Sequence, residues 1–501
     1  MGWHVALLVL GGLTLQRAGA VSQAPVPRIA VIGGGIGGGS ASHFLTELFN
    51  GTMKIDLYEA RTVGGRLATV NIGGVEVEAG GSILHTKNMY MQRFVELLGL
   101  EKNTPSNDKV GIWNGSEFVF IESDWWLVTI SKLLRRYGFQ LIQLNWRIEN
   151  MIKEFVKIYD LQDAGKSFAS ATELLSAMNE DFPRLLRISM REYLSNLGYS
   201  KVLIDELVQA ATVVNYGQEV TDMQSFVGCI CLATGSELWS VKGGNKKVPE
   251  HLIYRNKNVS VIPSRVTKIR HLNDNARNLS QYEVTYVNED STDPMTSTYD
   301  IVVIAAPLTT DQEFQIEFAE FPDKLAFPGS YQTTHVAFIK GDLNLKYFGL
   351  DTALSSILSC NPNKTKISSV GEQDSVDGSI KSEQANFIEK DRPVWKLFSR
   401  ERMETSLLHD IFYNVVETKQ IAWKAYPHYS TSMNLDNFKL HDALYHVNAI
   451  EWAASAMEMS AIAGRNVAIL AYNDFLQKYA STLGENVAHN STRTVRSFAE
   501  L

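Results

Sequence analysis

Apolar and polar positions fall into a readable order from Pro27 onward. Pro27 to Ile32 is a short apolar run with the look of a buried parallel strand. It breaks into Gly33-Gly34-Gly35-Ile36-Gly37-Gly38, and the chain resumes as Ser40-Ala41-Ser42-His43-Phe44-Leu45. That second segment reads as a helix with small residues in its first turn. Lys54 to Tyr58 is another strand, ending on Glu59. The pattern predicts a strand–turn–helix–strand unit. Val261 to Val266 and Asp300 to Pro307 read as further strands, the latter ending in small residues as a central parallel strand does. From Trp125-Trp126 through Trp146 to Phe155, Leu127, Ile130, Leu133, Leu134, Leu141, Leu144 and Ile148 recur at largely helical spacing. They predict the start of a helical lobe. Ala443 to Ile450 reads as a strand and Glu451 as the start of a helical stretch. Cys229 and Cys231 fall in an expected strand, on one face and poorly placed to bond each other. Ser368 to Glu383, rich in Gly, Ser, Asp and Glu, predicts a mobile surface loop.

Composition narrows the class. With 501 residues, 45% of them hydrophobic and 20% charged, the chain buries a large core, and disorder is excluded. The net charge of −8 is spread along the chain and leaves no basic stripe for nucleic acid. Val5 to Leu15 is apolar and is followed by Arg17-Ala18-Gly19-Ala20, so residues 1–20 are expected to be a signal peptide. Sequons at Asn50, Asn114, Asn258, Asn278, Asn363 and Asn490 then predict a glycoprotein of the secretory pathway. Three cysteines cannot all pair, so no disulfide framework is expected. After the presequence no apolar stretch is long enough for a membrane span. Lys132, Arg135, Arg136 and Arg147 sit among the apolar residues of the helical lobe. They allow peripheral membrane contact, or an ordinary amphipathic helix with a solvated basic face, which is the commoner case.

Gly33, Gly35 and Gly38 occupy the positions of G-x-G-x-x-G, with Gly37 between them. The first permits a tight turn, the second lets a diphosphate approach the backbone, and the third lets helix pack on strand. Glu59, 21 residues past Gly38, is placed to accept ribose hydroxyls and disfavours a 2′-phosphate. These residues point to a bound dinucleotide.

Arg61-Thr62-Val63-Gly64-Gly65-Arg66-Leu67-Ala68-Thr69 resembles the R-x-G-G-R-x-x-[ST] segment of the amine-oxidase-like FAD superfamily. The resemblance implies FAD as cofactor, with Arg61 among the cofactor-binding residues, Gly64, Gly65 and Arg66 along the diphosphate, and Glu78 to Ser82, including Gly81, near the flavin ring. Trp239 to Asn245 resembles its W-x-x-x-G-G element, with Gly244 in it, and Val266 is the residue expected to pack on adenine. Met457 to Gly464 resembles the closing M-E-G-A-x-x-A-G helix, with Met459 in place of a Gly. Glu451 is either the partner of a ribityl hydroxyl or a solvated acid at a helix start.

Val214 to Gln218, Leu238 to Lys246, Ala425 to Tyr429, Glu451 to Ala463, Val63 to Ala68 and Arg135 to Gln140 together look like the prenylcysteine oxidase family, from about Ile29 to the last helix. The expected fold is therefore α/β and two-lobed, an FAD-dependent oxidoreductase. Its Rossmann-type core uses about 28–90, 235–310 and 425–480, interleaved with a substrate lobe of 91–234 and 311–424. The family implies oxidation of an S-prenylcysteine by FAD and oxygen, releasing cysteine, an isoprenoid aldehyde and hydrogen peroxide. It also implies a lysosomal or secreted location. Such a substrate calls for an apolar tunnel with a polar mouth. Asn215, Tyr216, Lys242 and His428 are the candidates for positioning it. No metal site and no protein partner is expected. An amine or polyamine oxidase, and a non-catalytic FAD- or lipid-binding glycoprotein, remain as alternatives.

Overall fold

The computed structural model describes residues 26–104, 109–233, 238–272, 280–288, 293–378 and 392–482. The expected presequence, Asn278, Asn490 and residues 379–383 of the expected loop lie outside the described residues.

Arg28–Ile32 is buried beyond its first residue because it lies between two parallel neighbours, Lys54–Glu59 and Ile301–Ile304. Ile29 is in register with Ile55 on one side and Ile301 on the other. The parallel ladder continues outward to the first half of Val259–Leu272 beyond Lys54–Glu59, and to Leu444–His446 beyond Ile301–Ile304. The chain thus leaves Arg28–Ile32 first to one side and later to the other. Such a reversal opens a crevice at the carboxyl ends of the central strands. From Ser264 onward, with a bulge between Val266 and Lys268, Val259–Leu272 pairs antiparallel with Gln281–Asn288, which pairs in turn with Met295–Tyr299.

The helix Ile36–Leu48 packs on this sheet and against Met457–Thr482. The two helices meet at backbone contact. A Cβ on Gly464 would stand 2.9 Å from both the Ala41 nitrogen and the Gly37 oxygen. The Ser40 hydroxyl donates to the Ala461 carbonyl at 3.0 Å. Met459 is buried in the same core.

Among the described residues a second sheet has seven strands, with the long antiparallel pair Phe412–Pro427 and Tyr331–Leu343 at one edge. Helices between Trp126 and Leu232 add further cores beside it, with Trp126–Tyr137 and Gln140–Phe155 at their start, as the periodicity predicts. Three expectations need correction. Cys229 and Cys231 lie on the helix Ser225–Leu232, buried; a short run apolar on all sides does not distinguish strand from buried helix. Ile367–Gln373, expected as loop, is a strand between Ser356–Ser359 and Val394–Ser399, so sheet pairing overrides its serines. The strand expected over Ala443 to Ile450 is shorter, Leu444–His446, and the 3-10 helix Val447–Trp452 takes over before Glu451.

The described sequons differ. Asn50 and Asn363 are exposed and Asn114 is half-buried. The Asn258 amide donates to the carbonyls of Gly51 at 2.8 Å and Met53 at 2.9 Å, which ties it into the fold.

Candidate active site

A cavity of about 790 Å³ lies at the carboxyl ends of the central parallel strands. The glycine turn forms its floor. The Gly33 N–H donates to the Tyr58 carbonyl at 2.8 Å, which locks the turn between two strands. Gly33 has φ +110°, and a Cβ there would come within 2.6 Å of the Ala305 oxygen. A Cβ on Gly38 would come within 1.9 Å of the Gly33 oxygen, so only glycine lets the helix start this close to the strand. Gly35 forms a parallel bridge with Gly64, and both line the cavity with Gly65. The helix that begins at Ile36 has Gly35 as its N-cap, with no side-chain cap and no acid in its first turn. Its leading N–H groups are therefore left to an anion. Gly37 and Gly38 do not line the cavity; Gly37 sits against Val447 and Ser460.

Glu59 stands at one end of this space. One carboxylate oxygen accepts from the Gly34 N–H at 2.7 Å and the other from the Arg61 N–H at 2.8 Å. Each oxygen keeps a further lone pair for a hydroxyl. Arg61 pairs with Glu313 at the exposed rim. The Arg61 and Arg265 guanidinium carbons each lie 5.3 Å from the centre of the Phe314 ring. Val266 and Phe314 both line the cavity.

Arg66 lines the same cavity and is held by Glu451, which does not line it. The Glu451 side chain is 1% exposed and accepts a two-pronged ion pair from Arg66. It also accepts from the Tyr331 hydroxyl at 2.8 Å and the Asn448 amide at 2.7 Å. Four donors fill the carboxylate. Glu451 is accordingly neither a solvated acid nor left with a lone pair for a ribityl hydroxyl; it fixes Arg66.

The loop Ala79 to Gly81 forms another wall. Beneath it the buried Lys396 ammonium donates to the carbonyls of Glu78 at 3.1 Å and Gly80 at 3.3 Å, and reaches the Ser82 hydroxyl at 3.1 Å. The Asn245 amide donates to the carbonyls of Gly81 and Ser82 at 2.8 and 3.0 Å, and its N–H to the Glu78 carboxylate at 2.6 Å. Gly244, with φ +99°, lies behind this wall beside Thr69 and Glu78. Burial pushes the Glu78 carboxyl up to about 7 and the Lys396 ammonium down to about 8.

A second, narrow cavity adjoins the first, sharing Thr333, Thr334, Phe398 and Tyr426 as walls. The helix Gln209–Tyr216 closes its other side through Val213, Val214 and Asn215. Its free volume is about 20 Å³, room for about one water, so this slot by itself does not hold a prenyl chain. Of the four positioning candidates, Asn215 alone lines either cavity. Tyr216 is buried and donates its hydroxyl to the Ser455 carbonyl at 3.0 Å. Lys242 is exposed and pairs with Glu101 at 2.7 Å. His428 is exposed, 3.3 Å from the Gln332 side-chain oxygen. The cation that does reach the slot is Arg400, paired with Glu219 at 3.1 Å.

The model of the prenylcysteine lyase family matches residues 120–484. Mouse prenylcysteine oxidase 1 is 37% identical over 93% of this chain and 92% of its own length. The chain belongs to the prenylcysteine lyase family. A model of an NAD(P)-binding Rossmann-like domain matches residues 31–98, the segment that forms the glycine turn and its neighbours. The human protein named prenylcysteine oxidase 1-like is 35% identical, with 94% of this chain and 95% of that protein covered. Among solved structures, a putrescine oxidase bound to putrescine superposes with a TM-score of 0.54 at 12% identity, covering 89% of this chain and 98% of that one. A cyclohexylamine oxidase from Brevibacterium oxydans gives 0.54 at 13% identity, covering 90% and 99%. At these identities they support the fold alone.

Arg400, Lys396 and Phe314 were missed by sequence reasoning. Arg400 sits in Ser399-Arg400-Glu401-Arg402, which reads as a polar turn, and its place at the slot comes from strand pairing. Lys396 in Val394 to Phe398 breaks an apolar run, and a lone charge inside a buried strand was the available clue.

Proposed function

We propose that this protein is an FAD-dependent thioether oxidase acting on S-prenylcysteine. The reading rests on relatives named prenylcysteine oxidase 1 that align over 93% of the chain. The residues present fit FAD. The bare backbone of Gly33 to Gly35 and the helix start at Ile36 would hold its diphosphate, and Glu59 its ribose hydroxyls. Val266 and Phe314 would flank the adenine, while Arg66, Gly80 and Gly81 lie along the rest of the cavity. When bound, FAD supplies the acceptor for a hydride.

Arg400, which lines the slot and is held by Glu219 at 3.1 Å, would take the carboxylate of the cysteine end. A planar guanidinium suits a carboxylate in two-pronged contact. Phe398 and Tyr426, shared by the two cavities, would keep water from the reacting carbon until the thioether is in place. That carbon is both allylic and next to sulfur, so hydride loss is eased from two sides. Over a turnover, the thioether, oxygen and water become thiol, aldehyde and hydrogen peroxide, which balances.

In an aerobic assay, peroxide and isoprenoid aldehyde should appear with farnesylcysteine and not with putrescine or other amines. Peroxide from amines alone would overturn the reading. An Arg400→Met variant should raise KM for farnesylcysteine by about tenfold, the loss of one charge-assisted contact, while kcat changes less. An unchanged KM would remove Arg400 from the site.

A further inference from the structure

The helical hairpin of Trp126–Tyr137 and Gln140–Phe155 is apolar on two sides. Its inner side belongs to the core, where Tyr137, Leu144 and Ile148 pack with Met190, Leu194 and Leu203. Its outer side carries Trp125, Trp126, Leu127, Phe139, Ile142 and Trp146, each between 56% and 75% exposed. Among the described residues these three tryptophans are exposed, while the others are buried or half-buried. Along the second helix, Ile142 and Trp146 are one turn apart, and both lie roughly opposite the inward row of Leu144 and Ile148. A helix seated on its own protein needs one apolar face; a second one needs an occupant.

Charge narrows what that occupant is. Between Trp125 and Phe155 five basic residues stand against two acidic ones, on a chain whose net charge is −8. Lys132 and Arg135 are exposed, three residues apart on the first helix, the Lys132 ammonium donating one hydrogen bond to the Ile121 carbonyl at 3.1 Å and keeping its others for a headgroup. Arg136 and Arg147 are used otherwise. The former pairs with Glu206 at 2.7 Å, and the latter is turned inward beside Tyr193 and Tyr199. Exposed tryptophans next to long cationic side chains are the composition of a segment lying in the headgroup layer of a membrane. No helix of the described residues is long and apolar enough to cross one.

We propose that this hairpin docks the protein on the surface of a lipid bilayer bearing anionic headgroups. The tryptophans and Phe139 sit at the boundary between headgroups and acyl chains, and Lys132 and Arg135 reach the headgroups. The surface connects to the candidate site through one continuous helical segment. Glu206, which holds Arg136 and takes the Tyr137 hydroxyl at 3.1 Å, lies about 10 Å along that segment from Val213 at the narrow cavity. Delivery of a prenylated substrate across this route rests on the function proposed above; the docking itself does not.

The test uses the whole flavin-loaded protein without substrate. It is mixed with phosphatidylcholine vesicles with or without phosphatidylserine, and bound and free protein are separated by flotation. The wild type should float with phosphatidylserine vesicles, less so as salt rises. Joint replacement of Trp125, Trp126 and Trp146 by Ala should weaken binding by at least about tenfold, with flavin content retained. Lys132→Glu with Arg135→Glu should abolish the preference for phosphatidylserine. Brominated lipid should quench wild-type tryptophan fluorescence, a readout independent of any variant. Absence of flotation or of quenching overturns the proposal, as does a dimer in sedimentation that the tryptophan variant converts to monomer. Loss of peroxide production with intact flotation counts against the proposed function and not against docking.

Discussion

The edge of the first sheet and the narrow slot beside the second are built by different means. At the first, the shape is in the backbone: Gly33, Gly35 and Gly38 lie within one turn, and Glu59 is the end of the next strand. At the second, the walls are side chains drawn from Val213 to Tyr426, on a helix and several strands. A diphosphate demands bare backbone at fixed spacing, which leaves a mark in the sequence. A pocket for a flexible apolar chain demands only volume and a polar end, which many arrangements of side chains supply.

The largest effect should come from breaking the backbone-built side. Gly38→Val would put carbon where the Gly33 oxygen is, and the turn would have to open. We expect a stability loss of about 4 kcal/mol or more and loss of bound flavin, read from visible absorbance per protein. Full flavin retention would show that the turn is not the phosphate cradle.

Next is the buried pair that joins the two regions. Glu451→Gln leaves the Arg66 charge without its counter-ion and should cost about 3 kcal/mol in denaturant unfolding. It should also lower flavin occupancy, because Arg66 loses its fixed direction. A variant as stable as the wild type would mean that Arg66 is held by the Ala425 carbonyl, 2.8 Å away, and by solvent.

The smallest effect concerns pH. Burial raises Glu78 to about 7, behind the cavity wall, and raises Glu458 to about 7, where it caps Met89–Leu97 through the N–H groups of Tyr90 and Met91. Each acid binds its proton more tightly folded than unfolded, so its stabilising contribution is present at low pH and is lost as pH rises from 4.5 to about 7. His446, pushed down by burial to about 4, works the other way and lowers stability as pH falls from 6.5. Replacing Glu78 by Gln should therefore remove about 2 kcal/mol of pH-dependent destabilisation between pH 5 and 7.5, read as the difference between the wild-type and variant slopes. A slope unchanged in the variant would place the titration elsewhere.

The same contrast explains what could be read from sequence. The strand–turn–helix–strand unit and the glycines of the first edge were legible because local backbone rules generate them. Glu59 was legible by distance alone. Glu451 and Arg66 were each found as positions, but their pairing was not, since a bond between residues 385 apart leaves no local trace. Lys242 and His428 were drawn from stretches that resemble the family, yet Lys242 pairs with the exposed Glu101, and His428 is itself exposed, outside the slot that its neighbour Gln332 lines. Asn215 was placed at the slot while its neighbour Tyr216 turns into the core, as adjacent residues on a helix point about 100° apart. The outer face of the hairpin was visible as helical periodicity with basic residues among the apolar ones. Which side of that pattern is buried depends on what packs there.

The most direct test of the account is anaerobic addition of farnesylcysteine to the purified, flavin-loaded protein. The account predicts bleaching of the visible flavin absorbance, restored with release of peroxide when oxygen is admitted. A flavin that stays fully oxidised under those conditions, in protein that is folded, would contradict it.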